Sequence, residues 1–126
     1  MARDGKAVVA GWAAWLLVAA VSGLLAKVLW AGYAEAAADH RFTFAMLVVR
    51  LGAGAIATLV AGAVAAWLAG GRWRAILLTG GGLLLLSLVR HYQIWDQDPV
   101  WYHLVYLGYL LPLTALGARC CPPRCD

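Results

Sequence analysis

Charged residues are scarce in this sequence, and its six acidic residues all lie outside the long apolar stretches. Only 13% of the 126 residues are charged, 64% are hydrophobic, and the mean hydropathy is +0.78. A soluble domain of this size has more surface than core and needs more charge to cover that surface. The scarcity of charge therefore excludes an ordinary soluble domain and indicates a membrane protein.

Motifs of catalysis and of metal binding are missing as well. The sequence has no nucleophile elbow, no H-E-x-x-H and no phosphate-binding P-loop. All three cysteines lie in the segment ARCCPPRCD, where reduced thiols without neighbouring histidines make a poor zinc site. The basic residues are spread between helix ends, so they form no nucleic-acid footprint. We expect no enzymatic activity, no bound metal and no nucleic-acid partner, and nothing in the sequence requires a cofactor.

Four apolar stretches have the length, or nearly the length, of a membrane span. Residues 7–26, 51–71 and 99–118 reach the roughly 20 residues that a span needs, and 75–89 does so if Arg90 to Tyr92 lie in the interface. The expected fold is an all-α integral membrane protein, a single domain over residues 1–126. Its four-helix transmembrane bundle has helices at about 7–30, 42–69, 74–92 and 99–118. The first apolar run exceeds the roughly 7–15 residues of a signal peptide's apolar h-region, which favours an uncleaved anchor.

The charges between these helices are distributed asymmetrically. Basic residues dominate the N-terminal segment, the GGRWR turn and the C-terminal segment. The other two loops hold Glu35, Asp39, Asp96 and Asp98, with Arg41 as their one basic residue. Because positive segments stay on the cytoplasmic side, this pattern predicts an antiparallel, up-and-down bundle with both termini in the cytoplasm. The high content of Ala, Gly, Arg and Trp suggests the inner (plasma) membrane of a bacterium with a G+C-rich genome.

Two ridges of small residues run side by side along the second predicted helix. They are Gly54, Thr58, Gly62, Ala66 and Gly70, and Ala53, Ala57, Ala61, Ala65 and Ala69. Small residues at every fourth position let helices approach closely in lipid. We expect this helix to make the most contacts with other helices. The ridges also suggest docking onto other membrane subunits or onto a second copy of the chain.

Local signals refine the ends and the shape of the helices. The alanine-rich loop at about 34–41 favours a short helical extension at the interface, and Asp98-Pro99 is typical of a helix start with Asp98 as N-cap. Pro112 predicts a kink in the fourth helix, and the glycine run 80–82 allows a bend in the third. Aromatic residues near the ends of the first helix are interpreted as belts that set its depth; they are Trp12, Trp15, Trp30 and Tyr33.

The segment RHYQIWDQDPVWYH, from Arg90 to His103, carries most of the chemistry of the chain. Folding the helices back and forth brings it level with Lys27 and Arg50. The candidate ligand-binding residues are Lys27, Arg50, Arg90, His91, Trp95, Trp101, Tyr102 and His103. Arg50 lies about eight residues, roughly 12 Å, below the outer helix end. A charge at that depth is expected to face the bundle and to have a partner, such as Glu35, Asp96 or an anionic ligand.

Three functions fit these features. The favoured one is a non-catalytic accessory or assembly subunit of a larger membrane complex. The alternative is a binder or carrier of an anionic lipid, of a quinone-like molecule or of another amphipathic ligand, held by the basic and aromatic residues. The third is a redox subunit in which His91 and His103 bind a haem between two helices.

Overall fold

Five α-helices make up most of residues 2–121, the part of the chain that the computed structural model describes. They are α1 (Ala2–Leu29), α2 (Tyr33–Asp39), α3 (Phe44–Ala69), α4 (Trp73–Gln93) and α5 (Val100–Cys120). All except α2 are long and apolar enough to cross a membrane, which confirms the four predicted spanning helices. The short α2 occupies the alanine-rich loop. Met1 and residues 122–126, including Cys125 and the tail charges Arg124 and Asp126, lie outside the described residues.

Two helix starts differ from the prediction. α1 begins at Ala2, before the apolar run, because Asp4 in its first turn suits the positive end of the helix dipole and lies 3.3 Å from Arg72. The prediction of Asp98 as N-cap of α5 is wrong: Pro99 takes that position without a side-chain cap. The carboxylate of Asp98 instead lies 3.3 Å from His40 Nε2. α5 continues through Pro112, and α4 continues through its glycine run.

The helix α3 is the centre of the bundle, as its two ridges predict. It packs most extensively against α1 and α5 and also contacts α4. Along the alanine ridge, Ala57, Ala61 and Ala65 are completely buried. Along the other ridge, a Cβ atom added to Gly62 would meet the backbone carbonyl of Thr114 in α5. The absence of side chains here lets the α3 and α5 backbones touch, which supplies packing energy that lipid cannot.

Buried polar groups within the bundle have partners. Thr58, Thr79 and Thr114 are at most 1% exposed, and each hydroxyl donates to the carbonyl four residues earlier, at 2.7–2.8 Å. Trp12 Nε1 donates to the carbonyl of Thr79, and Trp15 Nε1 donates to the Thr58 hydroxyl, both at 3.2 Å. Such pairing is needed because the hydrocarbon offers no alternative partners. Trp12 and Trp15 therefore hold α1 onto the bundle, beyond the depth-setting role that the sequence suggested.

The two ends of the bundle are packed differently. At the turn end, where α1 begins and α3 turns into α4, Arg3 Nε donates to the Leu68 carbonyl at 3.0 Å. There α1 and α4 touch, with Trp12 against Gly82. At the cavity end, where α2 and the loop between α4 and α5 lie, α1 and α4 both line a cavity. This cavity is the candidate site.

Candidate functional site

A cavity of about 420 Å³ opens among α1, α3, α4 and α5 at the cavity end, and α2 contributes Tyr33 and Ala37 to its wall. Its basic side chains come from three helices and a loop: Lys27, His40, Arg50, Arg90 and His91. Its aromatic walls are Trp15, Tyr33, Phe42, Tyr102 and Tyr106. The volume falls within the usual range of small-molecule sites, roughly 300–1,000 Å³. The helices thus bring bases and aromatic rings together around one partly open cavity.

Arg50 points into this cavity from the second turn of α3. Its guanidinium carbon lies 4.1 Å from the centroid of the Phe42 ring and 5.8 Å from that of Tyr102. The prediction that Arg50 faces the bundle rather than lipid is confirmed. A carboxylate partner is not found: neither Glu35 nor Asp96, nor any other acid of residues 2–121, lies within 4 Å of the guanidinium. Cation–π contacts replace it, each worth about 0.5–2 kcal/mol depending on desolvation.

The cavity wall on α1 changes character with depth. Lys27, near the end of α1, lies at the mouth, and Ala26, Gly23, Ser22, Ala19 and Trp15 follow it inward. Twelve residues separate Trp15 from Lys27, which is about 18 Å along the helix axis. The small residues on this face leave room for a ligand. The wall therefore offers a cation at one end and an apolar surface below it.

His91 and His103 form a direct hydrogen bond, with their Nδ1 atoms 2.6 Å apart. The rings are nearly perpendicular, and both are buried, at 4% and 0% exposed. Axial haem ligands on opposite faces of an iron would hold their nitrogens about 4 Å apart, twice a metal–nitrogen bond of about 2 Å. In this arrangement the two imidazoles bind each other rather than a group between them.

The eight predicted ligand-binding residues divide into two sets. Lys27, Arg50, Arg90, His91 and Tyr102 line the cavity. The other three stand behind this wall. His103 supports His91, Trp95 stacks on the His103 ring at 4.6 Å, and Trp101 packs against Phe44 at 5.5 Å.

Several cavity residues were not predicted as ligand-binding. Tyr106 follows Tyr102 by four positions, so its place on the same helix face was a usable signal. Trp15 and Tyr33 were interpreted as belt residues because depth alone does not tell an inward ring from an outward one. His40 and Phe42 lie in the turn after α2, where no periodic pattern indicates direction. Their placement depends on how α2 folds over the bundle.

The electrostatic balance of the cavity is positive. None of its described lining residues is acidic, while Lys27, Arg50 and Arg90 each carry a positive charge. Asp98 is buried beside the cavity but lies against His40, at 3.3 Å. Burial raises the pKa of Tyr33, and the Arg50 guanidinium opposes that rise. The phenol therefore stays neutral at physiological pH and adds no negative charge.

Four helices long and apolar enough to cross a membrane are consistent with a multi-pass membrane protein, and between them lies a cavity lined by bases and aromatic rings. Within residues 2–121, no group of three or more His, Cys, Asp or Glu side chains is placed to hold a metal ion. Comparisons with protein-family models, with curated proteins and with solved structures find no match for this chain. Its function is therefore argued from the cavity.

Proposed function

We propose that this protein binds, and presents or carries, an anionic lipid whose headgroup occupies the basic cavity. The observation that carries the proposal is the set of three cations, Lys27, Arg50 and Arg90, around one cavity without an acidic lining residue. A structural cluster of charges within a membrane normally contains its own counter-ions. Here the balancing negative charge is best supplied by a ligand.

The shape of the cavity favours an amphipathic anion over a small one. The cations lie near the helix ends, whereas Trp15, Ala19 and Gly54 provide a deeper wall without charge. A phosphate headgroup would lie among the cations, and part of an acyl chain would follow α1 inward. A quinone carries no charge and would leave the three cations unbalanced, so the anionic lipid is preferred over the quinone-like ligand.

The proposed orientation places this cavity at the outer leaflet of a bacterial inner membrane. The charge asymmetry of the loops supports cytoplasmic termini. Contacts between helices support an up-and-down path: Arg3 meets Leu68, Trp15 meets Thr58, and His91 meets His103. In this orientation Arg50 lies about 9 Å inside the start of α3, within reach of a headgroup.

An accessory role in a larger membrane complex stays a prediction. Its main sequence support was the pair of small-residue ridges, and nearly all of their residues are buried or half-buried inside this chain. The ridges therefore do not favour docking. Native mass spectrometry after mild-detergent purification tests this role, because a co-purifying protein subunit would support it and a lone chain would contradict it.

The same purification tests lipid binding through Arg50. We expect the wild-type protein to retain anionic phospholipid and to prefer it over phosphatidylcholine. Arg50→Gln removes the deepest cation, and we expect it to weaken anionic-lipid binding by roughly 10- to 100-fold, the range of a lost charge-assisted hydrogen bond. Bound lipid is measured by native mass spectrometry and by titration in detergent.

Arg41→Gln is the matched control. It removes the same charge from an exposed loop residue that does not line the cavity, and it should leave lipid affinity unchanged. Equal affinity of the wild-type protein for anionic and neutral lipids would contradict the proposal. So would an Arg50→Gln protein that binds anionic lipid as the wild type does.

A further inference from the structure

The hydrogen-bond chain behind the cavity determines which atom His91 offers to a ligand. The carbonyl oxygen of Trp95 lies 3.2 Å from Nε2 of His103, and a carbonyl accepts only, so His103 Nε2 carries the proton. Neutral His103 then has a lone pair on Nδ1. That atom lies 2.6 Å from Nδ1 of His91, which must therefore donate. Neutral His91 is left with its lone pair on Nε2.

The neutral form of both rings follows from their surroundings. The pair is 0% and 4% exposed, and three cations stand around the adjoining cavity. A further positive charge there would be buried among like charges, which is costly. The carboxylate of Asp98, in the loop between α4 and α5, lies 3.3 Å from His40 and is paired with that residue.

Nε2 of His91 is open to the cavity. Its ring lines the cavity, its Nδ1 is taken by His103, and no described residue donates to its Nε2. No fully enclosed side-chain nitrogen or oxygen in residues 2–121 lacks a partner. The unpartnered Nε2 is therefore not fully enclosed, and the cavity is the space that the His91 ring lines. The site thus combines three cationic donors with one neutral acceptor.

We infer that the ligand carries a hydroxyl proton beside its negative charge and donates it to His91 Nε2. This inference rests on the proposed function and narrows it to one class of headgroup. Two kinds of phospholipid share the chemistry. A phosphate monoester such as phosphatidic acid supplies its own P–OH only as the monoanion, the main form below its second pKa of about 6. A polyol phosphodiester such as phosphatidylglycerol supplies an alcohol hydroxyl next to its single charge.

A charge-matched pair of lipids tests the inference without any mutation. Phosphatidylglycerol and phosphatidylmethanol are both singly charged phosphodiesters, and only the first has headgroup hydroxyls. Affinities for these two, for phosphatidic acid and for phosphatidylcholine are measured by titration of the purified protein in detergent. We expect phosphatidylglycerol or phosphatidic acid to bind about tenfold more tightly than phosphatidylmethanol, the effect of one hydrogen bond in a desolvated charged site.

His91→Asn isolates the proposed acceptor. The asparagine amide nitrogen takes the place of Nδ1 and can still donate to His103, but nothing replaces Nε2. Thermal unfolding in detergent reports whether the variant has folded, and both lipids are titrated against it. Its preference for the hydroxyl-bearing lipid should disappear. Because the wild-type comparison stands alone, a misfolded variant would not remove the test.

The outcomes distinguish a failure of this inference from a failure of the proposed function. If phosphatidylmethanol binds no better than phosphatidylcholine, the proposed function fails. If phosphatidylmethanol binds better than phosphatidylcholine but as well as both hydroxyl-bearing lipids, only the hydroxyl inference fails. A preference that survives in His91→Asn also overturns it. A preference that is lost in the variant supports it, and the preferred lipid identifies the source of the hydroxyl.

Discussion

The turn end and the cavity end are made from the same four long helices, but residues of different size separate the helices at each end. Towards the turn end, a Cβ on Gly62 or on Gly117 would meet backbone of the facing helix. At the cavity end, Phe42, Tyr102 and Tyr106 stand between the helices. Lipid is as apolar as the helices, so close packing rather than water exclusion must hold them together. Small residues let the helices meet at the turn end, and large aromatic residues hold them apart at the cavity end.

The arginines at the two ends also differ in their partners. At the turn end, Arg72 has a protein counter-ion, since its Nη1 lies 3.3 Å from Asp4. At the cavity end, the Arg50 guanidinium lies over the rings of Phe42 and Tyr102, with no carboxylate of residues 2–121 within 4 Å. A satisfied cation stabilises the fold, whereas a cation held by rings keeps its donors available. This difference is consistent with the proposal that the cavity end binds a ligand.

Labelling of cysteines from outside the cell gives the largest expected contrast between the two ends. A cysteine placed at the exposed Gln97, at the cavity end, should react with an impermeant maleimide, whereas the exposed native Cys120 should not. The difference is all or none because the membrane blocks the reagent. Permeabilised cells, in which both sites should react, provide the control. The reverse pattern would overturn the proposed orientation.

Adding one methyl group to a glycine should lower stability where helices are closely packed and have little effect on an open surface. Gly62→Ala places a Cβ against the Thr114 carbonyl, whereas Gly52→Ala, on the same helix, meets nothing within 4 Å. We expect Gly62→Ala to destabilise the protein by about 1–3 kcal/mol, the usual effect of overpacking. Gly52→Ala should change stability by less than about 0.5 kcal/mol. Thermal unfolding in detergent measures both, and equal Tm values would mean that α3 and α5 do not touch at Gly62.

The smallest expected effect concerns the hydrogen bond at the border of the two regions. The Tyr109 hydroxyl donates to the Leu51 carbonyl at 3.0 Å and so links α5 to α3. Tyr109→Phe should lower stability by about 0.6 kcal/mol, the average for such bonds between membrane helices. Tyr92→Phe makes the same chemical change at a residue that is 84% exposed and should be neutral. A neutral Tyr109→Phe would show that packing alone joins these helices.

Features that depend on local pattern were predictable. The length of each apolar run determines whether a helix can span the bilayer, and four spanning helices are present. Small residues recur at every fourth position, as at Gly54, Thr58 and Gly62, and this pattern predicted which helix is central. The depth of Arg50 within an apolar run was sufficient to turn it toward the bundle, because a charge facing lipid is costly.

Features that depend on distant partners were not predictable. Asp98-Pro99 has the composition of a helix start, yet Asp98 lies against His40, which is 58 positions away. His91 and His103 were predicted to face a ligand together. In the structure, His103 instead lies behind His91, with its ring nitrogens against His91 Nδ1 and the Trp95 carbonyl.

The sequence by itself determined four helices long and apolar enough to cross a membrane, a central small-residue helix and an inward-facing arginine. Hydropathy, helical period and the cost of burying charge are properties of each segment, so no neighbour has to be known. Tertiary structure decided that α2 contributes to the cavity wall, that no acidic residue of 2–121 lines the cavity and that His91 and His103 meet through their Nδ1 atoms. These features depend on distances between helices, which side-chain volume and hydrogen-bond geometry set only once the bundle is packed.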